Sequence, residues 1–187
     1  YAVGFDELNF DYIRFPSDGD VKDITYRFFD SVNATRVSVL KKFFAFLNQA
    51  LADLAVPLSI DLFGLTTTAL DDLGIGQELI EAASYFDYIA PMVYPSHFAA
   101  GFLNFQNPAE HPYEVIKYSL TEATRRLLAA SSTVAKLRPW LQDFDLGADY
   151  TAELVRAEMR AVYDAGLTSW MLWDPANKYT PSALKSE

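Results

Sequence analysis

Apolar and polar positions along the chain switch between two periods. In residues 7–11, Glu7, Asn9 and Asp11 alternate with Leu8 and Phe10, the pattern of a strand with one polar face. Pro16 and the polar stretch 17–20 end it. From 34 to 54 the period becomes helical: Val37, Leu40, Phe44, Leu47, Leu51 and Leu54 make one apolar stripe, stopped by Pro57. Residues 58–61 then read as a short buried strand, 76–84 as a helix and 88–94 as a third strand. The aromatic segment 95–111 reads as a loop. Pro112 suits the first position of a helix running to about 130. A fourth strand over 137–142 precedes a helix over 151–165, with Gly166 as its C-terminal cap, and 169–173 reads as a fifth strand.

Strand and helix in strict alternation imply right-handed crossovers and a parallel sheet. An open doubly wound sheet would carry a glycine-rich first turn for a nucleotide, and no GxGxxG or GxxxxGK[ST] occurs. Each strand ends instead in polar and aromatic residues, where barrel enzymes hold their sites. The expected fold is α/β: a partial TIM barrel of five parallel strands with outer helices. Residues 1–187 form one domain in this reading. An eight-stranded barrel takes about 250 residues, and the chain opens at Tyr1 almost directly into a strand. It therefore reads as the C-terminal portion of a (β/α)8 barrel.

Composition narrows the chemistry. The net charge is −10 and the basic residues are scattered, so no basic patch is available for nucleic acid. With no cysteine there are no disulfides or thiolate metal sites, and His97 and His111 are too far apart for a zinc motif. No apolar run reaches about 18 residues, so no membrane insertion is expected.

The candidate chemistry sits at the strand ends. A polar face on a buried strand is costly unless hydrogen-bonded, and is expected where a barrel interior opens into a site. Asp11 stands at the exit of the first strand, with Arg14 behind it, and Asp61 repeats the arrangement in LSID. Each aspartate alone could be a turn residue, and Asp11 could simply pair with Arg14. Two carboxylates at equivalent ends of adjacent strands match the acid and nucleophile of glycosidic cleavage. Tyr94 and His97 follow on the third strand, with Met92 as packing. Arg138, Trp140 and Gln142 share a face of the fourth, lining a sugar subsite or, for Arg138, neutralising the carboxylates. Asp143 has the opposite parity but falls where the strand ends. Trp170 and Trp173 face opposite ways, one under the helices and one free to stack on a sugar ring.

Taken in order, GFDELNFDYIRFP, SIDLFG, YFDYIAPMVYPSHF, LRPWLQDF and WMLWDP resemble a bacterial glycoside hydrolase domain family. It is a TIM-barrel family distantly similar to the α-amylase clan. The resemblance covers nearly the whole chain, which matches the family's second half. It implies a nucleophile at Asp11, an acid/base at Asp61 and a third carboxylate at Asp143. The clan's acid/base is a glutamate, where this chain has the shorter Asp61. The clan's arginine two residues before the nucleophile is replaced by Asn9. The family's closing LWNP reads LWDP here, with Asp174 at the Asn position.

The leading expectation is a retaining glycosidase acting on a poly- or oligosaccharide, without cofactor or metal. Arg14 or Arg138 would keep Asp11 ionised, and burial would raise the pKa of Asp61. Two further readings stand beside it. One is a non-catalytic glycan-binding module; the other is a barrel enzyme of another chemistry, such as a lyase or deacetylase. A secreted or cell-envelope location is the expectation.

Overall fold

A computed structural model describes residues 4–184. Five strands form one parallel sheet in sequential order: β1 (Leu8–Phe10), β2 (Leu58–Phe63), β3 (Tyr88–Met92), β4 (Trp140–Gln142) and β5 (Met171–Trp173). The connecting α-helices are α1 (Arg36–Ala50), α2 (Leu79–Ala83), α3 (Pro112–Ala129) and α4 (Ala152–Asp164). The sheet curls into a half-barrel with these helices on its outer face. The order contains no reversal, which distinguishes it from a doubly wound sheet.

Parity along the strands divides the side chains. Leu58, Ile60, Leu62, Ile89, Leu137 and Leu141 point outward and are buried. They pack against Leu40, Phe44 and Leu47 of α1, Ile116, Leu120 and Leu127 of α3, and Val155, Met159 and Val162 of α4. The opposite parity turns Glu7, Asn9, Ser59, Asp61, Arg138 and Trp140 to the concave side. Trp170 lies with the outer layer, its indole N–H donating to Tyr163 Oη of α4 at 3.0 Å, whereas Trp173 faces the concave side.

Local chemistry sets the boundaries. Thr35 and Ser38 form a reciprocal capping box that starts α1. Gly166 adopts a left-handed φ of 83° after α4, with Leu167 N–H donating to Val162 O. Most segments are shorter than the sequence pattern implies, three of them for a local reason. The fourth strand is regular only from Trp140, because Pro139 has no N–H to give the ladder; Leu137 keeps a single bridge to Ile89. The second helix begins at Leu79, because Gly76 has a left-handed φ of 82° and the side chain of Gln77 is bonded elsewhere. β1 ends at Phe10, and Tyr12 turns into the left-handed region at φ 60°.

Gly64, directly after β2, lies against the end of β3. A Cβ there would collide with the Met92 carbonyl oxygen and come within 3.0 Å of its carbonyl carbon and 3.2 Å of Val93 Cα. Both neighbours are backbone, so neither strand can yield cheaply. Gly64→Ala should therefore cost about 1–3 kcal/mol, the range of core overpacking. The check is a lower urea midpoint at unchanged m-value.

Candidate active site

The concave ends of the strands enclose a cavity of about 270 Å³. Asp61 of β2 lies at its floor, 5% exposed. Both carboxylate oxygens are held: Trp140 Nε1–H donates to Oδ1 at 2.8 Å and Asn9 Nδ2–H to Oδ2 at 3.0 Å. Burial pushes the Asp61 carboxyl above its ordinary range. The Trp140 and Asn9 hydrogen bonds oppose the shift, the neighbouring charge of Asp11 adds to it, and Arg138 subtracts; the net direction is up.

Asp11 is exposed and lines the same cavity. The β1–β2 register runs from Leu8 on Leu58 to Phe10 on Ile60, so Asp11 follows directly on the last paired position. Beside Asp11 the Arg14 guanidinium stacks over the Tyr12 ring, 4.4 Å from its centroid, and donates to Tyr12 Oη at 3.1 Å and Ser17 Oγ at 2.7 Å. Arg14 also makes a 3.5 Å ion pair with exposed Asp18. It thus braces the wall of the cavity around Tyr12.

The far wall is aromatic. Trp140 and Trp173 meet edge to face, 5.9 Å apart, and Trp173 is 42% exposed. Tyr94 lines the cavity between them and β2; burial, then the charges of Asp61 and Asp11, push its phenol upward, so it stays a neutral hydrogen-bonding group. His97 packs its ring edge to face with Tyr94 and Phe144, and the desolvation lowers its pKa. Phe63, Leu65, Phe98 and Met92 supply the apolar remainder.

Three of the residues singled out from the sequence stand outside this lining. Arg138 lies two residues ahead of the start of β4, about 7 Å deeper in an extended chain. There it forms a two-pronged ion pair with Glu7, just ahead of β1, and stacks over Tyr88 at 4.4 Å. Gln142 is fully buried: its oxygen accepts from Ser96 N–H and Oγ–H, and its amide donates to Phe144 O at 2.9 Å. Asp143 is buried behind the strand end, where Oδ2 accepts the Thr180 N–H at 2.8 Å. Asp174 closes a turn, accepting from Ala176 and Lys178 N–H.

Two residues absent from the sequence reading belong to the site's support. Gln77 is buried against β2, accepting from Phe63 N–H and donating to Asp61 O. Glu158 of α4 is fully buried, accepting from Gln142 N–H at 2.8 Å and from Tyr150 Oη–H. Its signal was present: Glu158 falls on the apolar stripe of Val155, Met159 and Val162. Among the described residues no group of three or more His, Asp or Glu side chains is placed to hold a metal ion, and no helix is long and apolar enough to cross a membrane.

A curled parallel sheet carrying carboxylates and aromatics at the C-terminal ends of its strands defines an α/β barrel-type domain with an enzyme-like cleft. The chain belongs to the family described as "Putative glycosyl hydrolase domain", whose model matches residues 1–179. In fold it is similar to the glycoside hydrolase domain of PgaB (BpsB) from Bordetella bronchiseptica, with a TM-score of 0.55 and 17% identity. That match covers 74% of this chain and 37% of the other, and at such identity it concerns the fold alone. No curated protein matches the chain.

Glu158 gives a pH test of the support. Burial raises its pKa well above the ordinary 4.5, with hydrogen bonds from Tyr150 and Gln142 opposing and Asp143 adding to the rise. The folded chain keeps this proton where the unfolded chain has lost it. Its contribution to stability is full below about pH 4.5 and is lost as pH rises toward the folded pKa. Relative to the parent, Glu158→Gln should gain stability as pH rises above 4.5 toward the folded pKa, by at most about 1.4 kcal/mol per unit. Urea midpoints measured across that range decide it; parallel curves would show that Glu158 is not the group responsible.

Proposed function

We propose that this chain carries a glycosidase site in which Asp11 is the nucleophile and Asp61 the acid/base. The observation that carries the reading is the environment of Asp61. A carboxyl lining a cavity, its pKa pushed upward by burial and to a lesser degree by the charge of Asp11, suits protonation of a leaving oxygen. Asp11 faces it from the exposed side. The two wall elements suit a sugar: Trp173 offers a flat apolar face, and Tyr94, Tyr12 and Arg14 offer hydrogen-bonding groups around it. The substrate is accordingly a carbohydrate, and the domain is the later part of a (β/α)8 barrel.

Retention is the reading the resemblance to the α-amylase clan favours: a covalent mechanism needs its two carboxyl groups roughly 5–5.5 Å apart, and an attacking water needs roughly 6.5–9.5 Å. Asp11 attacks the anomeric carbon as Asp61 gives its proton to the departing oxygen. Asp61 then takes a proton from water as the glycosyl–Asp11 ester is hydrolysed. Asp143 is assigned a supporting part, through its hold on the Thr180 backbone.

A panel of aryl glycosides and soluble polysaccharides tests the assignment. Asp11→Asn should abolish hydrolysis and leave glycan binding nearly intact, since shape is kept and charge removed. Asp61→Asn should slow natural substrates by about 10²–10⁴-fold and activated aryl glycosides less, because a good leaving group needs little protonation. Asp61 must be protonated to act, so kcat/KM should fall as pH rises through a pKa above the ordinary aspartate value of 3.8. Binding without turnover in the parent chain would favour a glycan-binding module, for which exposed Trp173 is the supporting feature. An inverted anomeric product would remove retention alone.

A further inference from the structure

The β1–β2 ladder stops one step too early for the backbone of β2. The register pairs Leu8 with Leu58, Asn9 with Ser59 and Phe10 with Ile60, and continued by two residues it sets Tyr12 opposite Leu62. In a parallel ladder, Tyr12 would then donate its N–H to Asp61 O and accept from Phe63 N–H. It does neither. Its φ is 60°, its carbonyl accepts from Arg14 N–H at 2.9 Å, and its side chain stands at the cavity.

The vacated positions are filled by one side chain. Gln77, 1% exposed, accepts from Phe63 N–H through Oε1 at 2.9 Å and donates through Nε2 to Asp61 O at 3.3 Å. Its second N–H goes to Ile13 O at 3.0 Å, which ties the departing segment down. A primary amide presents the same donor and acceptor as a peptide group, with one N–H to spare.

We infer that Gln77 is a positioning residue: its side-chain amide stands in for the missing peptide of Tyr12, and so fixes the spacing of Asp11 from Asp61. The inference rests on the assignment of those two aspartates as the reacting pair. Both are attached to what Gln77 holds. Asp61 carries one of the bonded carbonyls, and Asp11 lies between the last paired residue, Phe10, and the tethered Ile13. Without the amide, either the two β2 groups stay unpaired or β1 zips on through Tyr12. The second outcome would withdraw Tyr12 and Arg14 from the cavity wall.

Gln77→Met keeps the volume and removes every hydrogen bond. Two measurements on the full chain separate positioning from mere support. The first is the pH titration of the Trp140 indole N–H resonance, which reports Asp61 through their hydrogen bond and needs no substrate. In Gln77→Met its midpoint should move by about half a pH unit or more, as the neighbourhood of Asp61 changes. The second is turnover of whichever aryl glycoside the parent cleaves: kcat should fall roughly 10- to 100-fold while KM changes far less, the mark of misplaced reacting groups. Should Gln77→Met not fold, Gln77→Glu replaces it. At low pH its neutral acid restores the acceptor and one donor and should return the parental indole resonance, which should depart from the parent as the pH rises. An unmoved titration midpoint in a folded variant overturns the inference, as does a pH-independent Gln77→Glu. A parent without hydrolytic activity would refute the proposed function, while the indole titration would still decide the role of Gln77.

Discussion

Much of the site depends on one ion pair across the concave face of the sheet. Arg138, just ahead of β4, reaches past β2 and β3 to take Glu7, just ahead of β1, in a two-pronged contact, with its guanidinium lying over Tyr88 of β3. The partners are 131 positions apart in sequence. A pair that joins the first and fourth strands is compatible only with a curled sheet, so it fixes the curvature that gathers the strand ends. Burial pushes the Glu7 carboxyl up, but hydrogen bonds from Arg138 and Ser59 outweigh it and hold the group ionised. Partial burial makes the geometry matter more than the Coulomb attraction alone, since removing either partner leaves an uncompensated charge inside the half-barrel.

This pair also bears on why the Asp61 pKa is shifted upward although Arg138 is a neighbour. With its charge committed to Glu7, Arg138 exerts only a lesser pull on Asp61, behind burial, the two hydrogen bonds and Asp11. Ser59 lies between the layers: its hydroxyl is 2.6 Å from Asn9 Oδ1 and also within reach of Glu7, and Asn9 in turn donates to Asp61. The polar interior is thus ordered by depth, with the Glu7–Arg138 pair below and the Asp61 carboxyl above. Asn9 couples the two, and Trp140 fixes the acid from the far side.

Strand polarity made the inner layer legible in the sequence. Glu7, Asn9, Ser59, Asp61, Arg138 and Trp140 all occupy their alternating positions, and Asp61, Trp140 and Trp173 meet at one cavity. Depth along a strand was harder to read than face. Arg138 and Gln142 share a face with Trp140, yet one serves the layer below and the other locks a loop, because two residues of extended chain carry a side chain past the cavity. Asp143 was ambiguous for a related reason: at a strand's end, alternation no longer determines direction. The pairing of Glu7 with Arg138 rests on curvature, which no local window contains. Gln77 was hidden by its setting, since Gly76–Gln77–Glu78 leads into an apolar run and reads as the start of a helix.

The replacement of a backbone peptide by Gln77 bears on the aspartate that stands where the resembling clan has glutamate. Asp61 is one methylene shorter and reaches less far toward a bound sugar. A β1 strand zipped on through Tyr12 would press Asp11 and the tyrosine against the sheet and narrow the space above this short side chain. Peeling β1 away at Asp11 does the reverse: it brings Tyr12 and Arg14 round as a wall of the cavity, and under the proposed assignment it would let a sugar ring settle nearer Asp61. Under the proposed assignment, the short side chain of Asp61 and the early departure of β1 would be two parts of one arrangement, in which a sugar would descend to the carboxyl. The amide of Gln77 makes that departure affordable, because the β2 groups it leaves behind remain hydrogen-bonded.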